Sequence, residues 1–391
     1  MTERSIPLRY GLNPHQKPAK VVLFDHSPQI EVLSGAPGYI NMLDALNGWQ
    51  LVKELREAIG LPAAASFKHV SPAGAAVGIP LSDVLTKAYF VEDMELSPLA
   101  TAYARARGAD RVSSFGDFVS LSDTCDLSTA RLIAREVSDG VIAPEYDTDA
   151  LALLKAKRKG KYLVIRIDPE YRRREMESRE VLGVALQQHA NDVRIGPELF
   201  GRVVTAERDL PDGAIRDMMI ALITLKYTQS NSACFAQDGQ AIGNGAGQQS
   251  RVHCTRLAGG KADLWWLRQH PRVLDLQFRE GMNRAEKNNA IDLFLLEDIT
   301  PPEEAQMMEN LIGSPKRLTK GEKRKWLDKL AGVSLGSDAY FPFRDSIDRA
   351  GRTGVKYIAE PGGSQRDEEI IAAADGYGMV MAFTGLRLFH H

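Results

Sequence analysis

Two adjacent residues, Lys68 and His69, place a cation beside an imidazole within the segment Ser66–Gly74. They follow a compact apolar run, Ala63–Phe67, which is typical of a buried strand, and ligands usually bind at strand ends in open α/β sheets. A neighbouring ammonium disfavours the imidazolium, so Lys68 would help to keep His69 neutral and available as a base at pH 7. The same ammonium could face a developing oxyanion. Taken alone, a Lys-His pair is more often a surface feature than a catalytic one.

Three further segments contain residue types that could bind ligands. Gly243–Arg251 is a glycine-rich turn, but it lacks the G-x-G-x-x-G spacing and the Lys-Ser/Thr of a P-loop, so its spacing favours a tight turn without a ligand. Lys155–Lys161 holds five basic residues, which are more typical of a solvated helix end than of an RNA or phosphate patch. Arg387–His391 ends the chain with a guanidinium, an aromatic ring and two imidazoles, and is either an exposed tail or a docked one.

Composition excludes several classes of protein. The chain has 391 residues, enough for two or three packed units, and its 49 Lys and Arg nearly balance 51 Asp and Glu. A net charge of −2 argues against a nucleic-acid or membrane binder held by bulk charge. Three cysteines without a C-x-x-C pair fit neither a disulfide scaffold nor a zinc deaminase site. With no signal-peptide or membrane-span pattern, we expect a cytoplasmic protein.

The elements that must position these residues alternate between strand-like and helix-like patterns, which predicts an α/β fold. Asn41 is expected to cap a helix. Ser97 and Gly108 are expected to begin and end another, with Gly108 in the left-handed conformation. Asp238-Gly239 predicts a hairpin, because both positions of its turn accept positive φ.

The chain also carries signs of internal division. A strand, a lysine, an aromatic ring and a polar turn recur at residues 67–69 and 225–227, which suggests two related halves. The polar stretch Asp168–Glu180 and a weaker one at Thr300–Gly321 are the expected breaks. We therefore expect units at residues 1–170, 171–300, 301–330 and 331–391, the third being a helical insertion or linker.

In combination, these segments resemble one family, the AICAR transformylase domain of the bifunctional enzyme that completes purine biosynthesis. The similarity runs through nine segments in one order: Leu8–Gln16, Ala65–Gly74, Ser113–Phe118, Arg135–Gly140, Lys226–Ser232, Gly245–Arg251, Arg284–Ala290, Ser337–Asp345 and Arg387–His391.

The resemblance implies two cytidine-deaminase-like subdomains without zinc, plus a smaller inserted region. It also implies a homodimer whose active sites form at the subunit interface. The implied reaction transfers the formyl group of 10-formyltetrahydrofolate to the 5-amino group of AICAR, giving formyl-AICAR and tetrahydrofolate. Its partners would be these small molecules, not nucleic acid or membrane.

The resemblance assigns roles to individual residues. The catalytic set is His69 as base, Lys68 as transition-state stabiliser and Asn231 as the orienting amide. The nucleotide-binding set is Arg9, Tyr10, Gly116, Asp139, Arg387 for the phosphate, and His391. The folate-binding set is Arg251, Val252, Asn289, Tyr340, Pro342, Asp345, Ser364 and Gln365. A monovalent cation such as potassium is expected near Ser230, Ser232 and Asp338.

Three departures from the family pattern matter. The similarity begins at about the eighth residue, so we expect no cyclohydrolase domain and ring closure by a separate protein. Tyr340 stands where the family usually has Phe, and Arg158 lies where it tends to have a phosphate-binding Lys. Two other functions stay open: a nucleotide-sensing protein that has lost catalysis, and an enzyme using formate and ATP. The absence of a P-loop counts against the second.

Overall fold

The computed structural model describes residues 4–24 and 27–391, and these fold as a mixed α/β protein, which confirms the predicted fold class. The strands are β1 Arg4–Leu8, β2 Ala19–Leu23, β3 Ile30–Ser34, β4 Ala63–Lys68, β5 Ser71–Val77, β6 Asp117–Leu121, β7 Ser138–Ala143, β8 Leu163–Ile167, β9 Met176–Val181, β10 Val184–His189, β11 Ala233–Gln237, β12 Gln240–Gly245, β13 Val333–Ser337, β14 Val355–Glu360 and β15 Val380–Phe383.

The helices follow the strands closely in the chain. They are α1 Tyr39–Ile59, α2 Asp83–Ala88, α3 Pro98–Gly108, α4 Leu127–Arg135, α5 Thr148–Ala156, α6 Asp212–Lys226, α7 Arg251–Leu267, α8 Pro271–Leu274, α9 Arg284–Leu295, α10 Pro301–Asn310, α11 Lys320–Leu327, α12 Asp345–Gly351 and α13 Asp367–Gly376. No helix in this described part of the chain is both long and apolar enough to cross a membrane.

One large sheet has the strand order β15-β14-β13-β11-β12-β5-β4-β6-β7-β8-β3. It contains two halves with the same order of elements: a long helix, an antiparallel hairpin, a helix, and three parallel strands connected by helices. The first half runs from α1 to β8 and the second from α6 to β15. The recurrence proposed from the sequence is in the wrong place, because residues 67–69 end a strand whereas residues 225–227 end a helix.

The way the halves join decides where their polar residues lie. They meet at β5 and β12, which pair antiparallel with Ala76 opposite Gln240. Since each hairpin is also antiparallel, the beginning of β11 lies at the same end of the sheet as the turn at residues 69–70. The beginnings of β6 and β7 and the ends of β13, β14 and β15 share this end. We call it the 69–70 end of the sheet.

Apolar residues fill both faces of the large sheet. One core packs β-strand residues against α3, α4, α7 and α12, and includes Tyr103 and Phe235. The other packs the opposite face against α1 and α6, and includes Leu55 and Ile223. A third, separate cluster joins α8 to α11 around Phe294 and Met307. The predicted domain boundaries remain predictions.

Two local predictions are wrong, for reasons that lie outside the segment concerned. The residue that caps α1 is Gly38, and Asn41 lies in the first turn, where its Oδ1 accepts the Gly38 N–H at 3.0 Å. Ser97 does cap α3, accepting the Ala100 N–H at 3.1 Å. Gly108, however, stays helical, and a Cβ there would lie 2.4 Å from the Tyr89 ring. Close packing, rather than a left-handed exit, explains that glycine.

Candidate active site

The turn between β4 and β5 consists of His69 and Val70 alone, because Lys68 pairs directly with Ser71. Both turn residues have positive φ, 53° and 61°. The His69 side chain is exposed, so its imidazole is open to the 69–70 end of the sheet and is not packed in the core. The predicted base is therefore accessible to a substrate.

The Lys68 ammonium is held over the loop before β6. It donates to the carbonyl of Phe115 and lies 6.0 Å from the centroid of that ring. Gly116, with φ of 75°, follows and donates its N–H to the Val137 carbonyl at 2.9 Å. An ammonium has three donors, so two remain for a developing negative charge on a ligand.

The predicted nucleotide contacts surround this pair on two sides. Asp139, at the beginning of β7, forms an ion pair with Arg158 at 3.2 Å. Arg9 donates to Asn41 Oδ1 at 3.3 Å, and its guanidinium lies 5.7 Å from the centroid of the Tyr10 ring. Arg158, where the family tends to have lysine, thus contacts a predicted nucleotide residue.

Asn231, just before β11, is held by three hydrogen bonds. Its Nδ2 donates to the carbonyls of Gln248 and Gln249 at 2.8 and 3.2 Å. Its Oδ1 accepts from Arg251 Nη2 at 2.7 Å. A carbonyl oxygen has two lone pairs, so Oδ1 keeps one for a ligand N–H. The side chain is fixed and can still accept.

The predicted cation residues lie beside Asn231. Ser230 Oγ and the Ser232 N–H both donate to Asp338 Oδ2, at 2.6 and 3.0 Å. Arg251 forms an ion pair with the same carboxylate. Ser232 Oγ is buried without a hydrogen-bond partner. Oxygen donors of this kind fit a hard cation. Among the described residues, no cluster of three or more His, Cys, Asp or Glu side chains could hold a metal.

The C-terminal segment is docked, which decides between the two interpretations of the chain end. The fully buried Leu388 donates its N–H to the Asp338 carbonyl at 2.9 Å. His390 donates its N–H to Ser230 Oγ at 3.1 Å and accepts the Ser230 N–H at 3.0 Å. Burial lowers the pKa of the His390 imidazole.

Docking leaves two predicted nucleotide residues exposed at this end of the chain. The Arg387 guanidinium lies 4.7 Å from the centroid of the Phe389 ring. His391 contacts the same ring edge to face, with centroids 5.7 Å apart. Both side chains are available to a ligand.

A third group carries most of the predicted folate residues. The Phe341 N–H donates to Glu360 Oε2 at 3.0 Å, which ties the loop of Tyr340 and Pro342 to the end of β14. Ser364 and Gln365 follow in the next loop, where the Ser364 N–H donates to Asp367 at 2.9 Å. Asp345 begins α12, and its Oδ1 is buried without a partner.

Two predicted folate residues lie on helices. Val252 follows Arg251 in the first turn of α7 and is half-buried. Asn289 is exposed on α9. That helix is held by its neighbour Asn288, whose Oδ1 accepts from Arg111 Nε at 2.9 Å.

The structure joins the first two groups directly. The Gln229 N–H donates to Ser71 Oγ at 3.4 Å, and Asn244 Nδ2 donates to the Pro72 carbonyl at 2.8 Å. The β4–β5 turn and the loop before β11 are therefore neighbours. Across residues 4–24 and 27–391, no hydrogen bond or ion pair links the third group to Lys68 or His69.

The other two segments singled out in the sequence have structural roles. Gly243 and Gly245 allow β12 to lie against α7, since a Cβ would come within 2.2 and 2.6 Å of backbone oxygens of that helix. Lys157 donates to the Ile133 carbonyl at 2.6 Å, and burial lowers its pKa to about 8. The basic run thus serves the end of α4 and the Arg158 pair.

Sequence reasoning missed Asp44, a buried residue of α1. Its Oδ1 accepts the Val70 N–H at 2.7 Å. Burial raises its pKa to about 7; the carboxylates of Asp139 and Asp117 act in the same direction and the Lys68 ammonium in the other. Asp44 lies on the same stripe of the helix as the buried Leu51 and Leu55, and a carboxylate on an apolar stripe was the signal that could have revealed it.

Comparison with known proteins gives a consistent result. A family model described as the AICARFT/IMPCHase bienzyme matches residues 1–261. Three curated relatives are bifunctional purine biosynthesis proteins PurH. Those of Magnetococcus marinus, Xylella fastidiosa strain M12 and Cereibacter sphaeroides are 32%, 31% and 30% identical over 98% of this chain. The chain spans 59%, 58% and 59% of their respective lengths.

The family model covers well over half of the chain. The chain therefore belongs to the AICARFT/IMPCHase bienzyme family.

Proposed function

We propose that this chain transfers the formyl group of 10-formyltetrahydrofolate to the 5-amino group of AICAR. The observation that carries the proposal is the meeting, at the 69–70 end of the sheet, of an exposed Lys68–His69 turn from one half with a rigid Asn231–Arg251 pair from the other. Family membership and the PurH relatives support the same reaction. Together they favour it over a binding protein, which would need no accessible base.

The reaction begins with a poor nucleophile, because the amine of AICAR is conjugated to its ring. In the proposed step, the amine nitrogen attacks the formyl carbon and His69 takes one of its protons as the C–N bond forms. Asn231 Oδ1, with its remaining lone pair, accepts an N–H of the same amine and so aligns it. Base and acceptor thus contact one nitrogen.

Bond formation places negative charge on the formyl oxygen, and the Lys68 ammonium has two donors left to meet it. The bond to N10 of the folate then breaks, and N10 receives a proton as tetrahydrofolate leaves. One proton is lost by the amine and one is gained by N10. The products are formyl-AICAR and tetrahydrofolate.

Ligand binding is assigned to the remaining groups. The nucleotide would contact Arg9, Tyr10, Gly116, Asp139 and His391, with its phosphate on Arg387, since a guanidinium offers phosphate a fixed fork of donors. The pterin would contact the third group, where the unpartnered Asp345 Oδ1 can accept from its amino group.

Ser230, Ser232 and Asp338 would hold a monovalent cation, and the orphaned Ser232 Oγ supports this assignment. When bound, such a cation would screen the buried Asp338 carboxylate. The chain's own hydrogen bonds already fix that carboxylate between Arg251 and the C-terminal segment, so the loop before β11 keeps its shape.

We also propose a homodimer. The hairpin of β9 and β10 is exposed on both faces, with Leu182 fully exposed and Leu186 59% exposed. An isolated two-stranded hairpin is marginally stable in water, so this one needs a surface to pack on. A second copy of the chain would supply that surface and cover the apolar side chains.

The test is a direct assay for the two products. Purified protein with AICAR and 10-formyltetrahydrofolate should release tetrahydrofolate and formyl-AICAR together, followed by absorbance and chromatography. Replacing His69 with Ala should lower kcat by about 10²–10⁴-fold, the usual contribution of a positioned base. Nucleotide affinity should persist in this variant.

The matched control is His189→Ala, which removes another exposed histidine, on β10. It should leave kcat unchanged. A folded wild-type protein that binds AICAR but releases no tetrahydrofolate would reject formyl transfer. Full turnover by His69→Ala would reject His69 as the base.

A further inference from the structure

The His69–Val70 turn has a backbone that its own residues do not favour. A two-residue hairpin with positive φ at both positions is the type I′ pattern, which selects Asn-Gly or Asp-Gly. Val70 is β-branched, and φ of 61° is a genuine outlier for such a residue. Strained backbone of this kind persists only when the surroundings hold it. Some contact outside the turn must therefore fix it.

That contact is the carboxyl group of Asp44. Its Oδ1 accepts the Val70 N–H at 2.7 Å from the first half of α1. Asp44 is only 5% exposed, so the bond is shielded from water. The N–H it accepts belongs to the residue directly after His69. Asp44 thus acts on the backbone that carries the imidazole, without contacting the imidazole itself.

The second half of the sheet contains the same device. In the equivalent hairpin, the turn residues Asp238 and Gly239 donate both N–H groups to Asp217, each at 2.8 Å. Asp217 lies on α6, the helix that corresponds to α1, and is also buried. There the turn sequence suits positive φ, with φ values of 49° and 83°. That turn is at the opposite end of the sheet from Lys68 and His69.

The comparison separates two roles for one carboxyl group. Where the turn is Asp-Gly, the local sequence already favours the conformation and the carboxylate adds stability. Where the turn is His-Val, the sequence disfavours it, and the carboxylate is needed to obtain the geometry at all. The catalytic residue types replace the turn residues that would have folded unaided.

We propose that Asp44 is a positioning residue for the Lys68–His69 pair, holding the left-handed His69–Val70 turn through the Val70 N–H. This rests on the proposed formyl transfer, and it adds a residue outside the set expected from the sequence. Asp44 contacts neither reacting atom. Its loss should misplace the base, and misplacement of about 1 Å can lower turnover by about 10²-fold.

The experiment compares Asp44→Ala, which removes the acceptor, with Asp44→Asn, whose Oδ1 can still accept the Val70 N–H. Asp217→Ala is the matched control, since it removes the same contact from the turn remote from the site. For each variant kcat and KM for AICAR are measured below its unfolding temperature. Hydrogen–deuterium exchange of the peptide spanning residues 66–74 reports on the turn directly.

We expect Asp44→Ala to lose at least about tenfold in kcat, equivalent to ~1.4 kcal/mol, with faster exchange in that peptide. Asp44→Asn should keep kcat within about threefold of wild type, less than ~1 kcal/mol, with wild-type protection. Asp217→Ala should lose thermal stability and keep kcat. Unchanged kcat in Asp44→Ala, equal impairment in Asp44→Asn, or an equal loss in Asp217→Ala would overturn the proposal.

Failure of the proposed function gives a different pattern. A wild-type protein that releases no tetrahydrofolate would reject formyl transfer before any variant is compared. The exchange measurement would still decide the clamp: protection lost in Asp44→Ala and kept in Asp44→Asn supports it. Equal protection in all four proteins would refute it whether or not the wild type is active.

Discussion

Glu360 holds a buried carboxyl group at the end of β14, and its removal should make stability less dependent on pH. The residue is fully buried, Oε2 accepts the Phe341 N–H at 3.0 Å, and Oε1 is buried with no partner. Burial raises its pKa from 4.5 to about 8. At neutral pH the group is therefore neutral in the folded protein and ionised in the unfolded chain.

The sign and size of the effect follow from proton linkage. Because the folded state takes up a proton between pH 4.5 and 8, stability falls as pH rises through that window. At about 1.36 kcal/mol per pH unit, the loss is about 3.4 kcal/mol at pH 7 and levels off near 4.8 kcal/mol above pH 8. Glutamine cannot ionise, so Glu360→Gln removes this loss. Its amide adds a buried unpaired donor, worth about 1–3 kcal/mol in the other direction.

The net expectation is a change of sign with pH. Glu360→Gln should be less stable than wild type by about 1–2 kcal/mol at pH 5, where the unpaired amide dominates. At pH 8.5 it should be more stable by about 2–4 kcal/mol. Urea unfolding at pH 5, 7 and 8.5 measures this, with equal m-values required for the comparison.

Glu368→Gln, at an exposed glutamate of α13, is the control and should show no such trend. A stability difference between Glu360→Gln and wild type that stays constant from pH 5 to 8.5 would show that Glu360 is ionised in the folded protein. The argument from burial would then be wrong.

Two further predictions concern packing and assembly. Gly243→Ala should destabilise the protein by about 1–3 kcal/mol, because its Cβ would lie 2.2 Å from a backbone oxygen of α7. Gly260→Ala, in open space on α7, should instead stabilise by about 0.5–1 kcal/mol; thermal unfolding distinguishes the two, and equal effects would contradict the packing account. Replacing Leu182 and Leu186 with Asp should weaken a dimer at least about tenfold in sedimentation equilibrium, whereas Val84→Asp on α2 should not. An unchanged dimer would place the interface elsewhere.

The sequence predicted the parts of the fold that depend on neighbouring residues. The Asp238-Gly239 turn formed as expected, because both residues accept positive φ. Ser97 caps α3 through its own hydroxyl for the same local reason. The strand before Lys68 was also recognisable, since an apolar run bounded by polar residues has few other places to go.

Some features depended on distant residues and could not be obtained that way. The chain end could have been a free tail, and only Asp338 and Ser230 show that it is docked. Gly108 matched the pattern of a helix exit, but Tyr89 packs against it and explains the glycine differently.

The sequence by itself determined the α/β alternation, one of the two hairpin turns and the identity of the residue types able to do chemistry. Tertiary structure decided which of those residues meet. It did so through the antiparallel pairing of β5 with β12, which brings Asn231 to the same end of the sheet as His69. It also decided how the His69–Val70 turn is held, since Asp44 is distant in sequence and its role exists only once α1 packs on β4. Local preferences act over a few residues, whereas these contacts depend on the packing of whole elements.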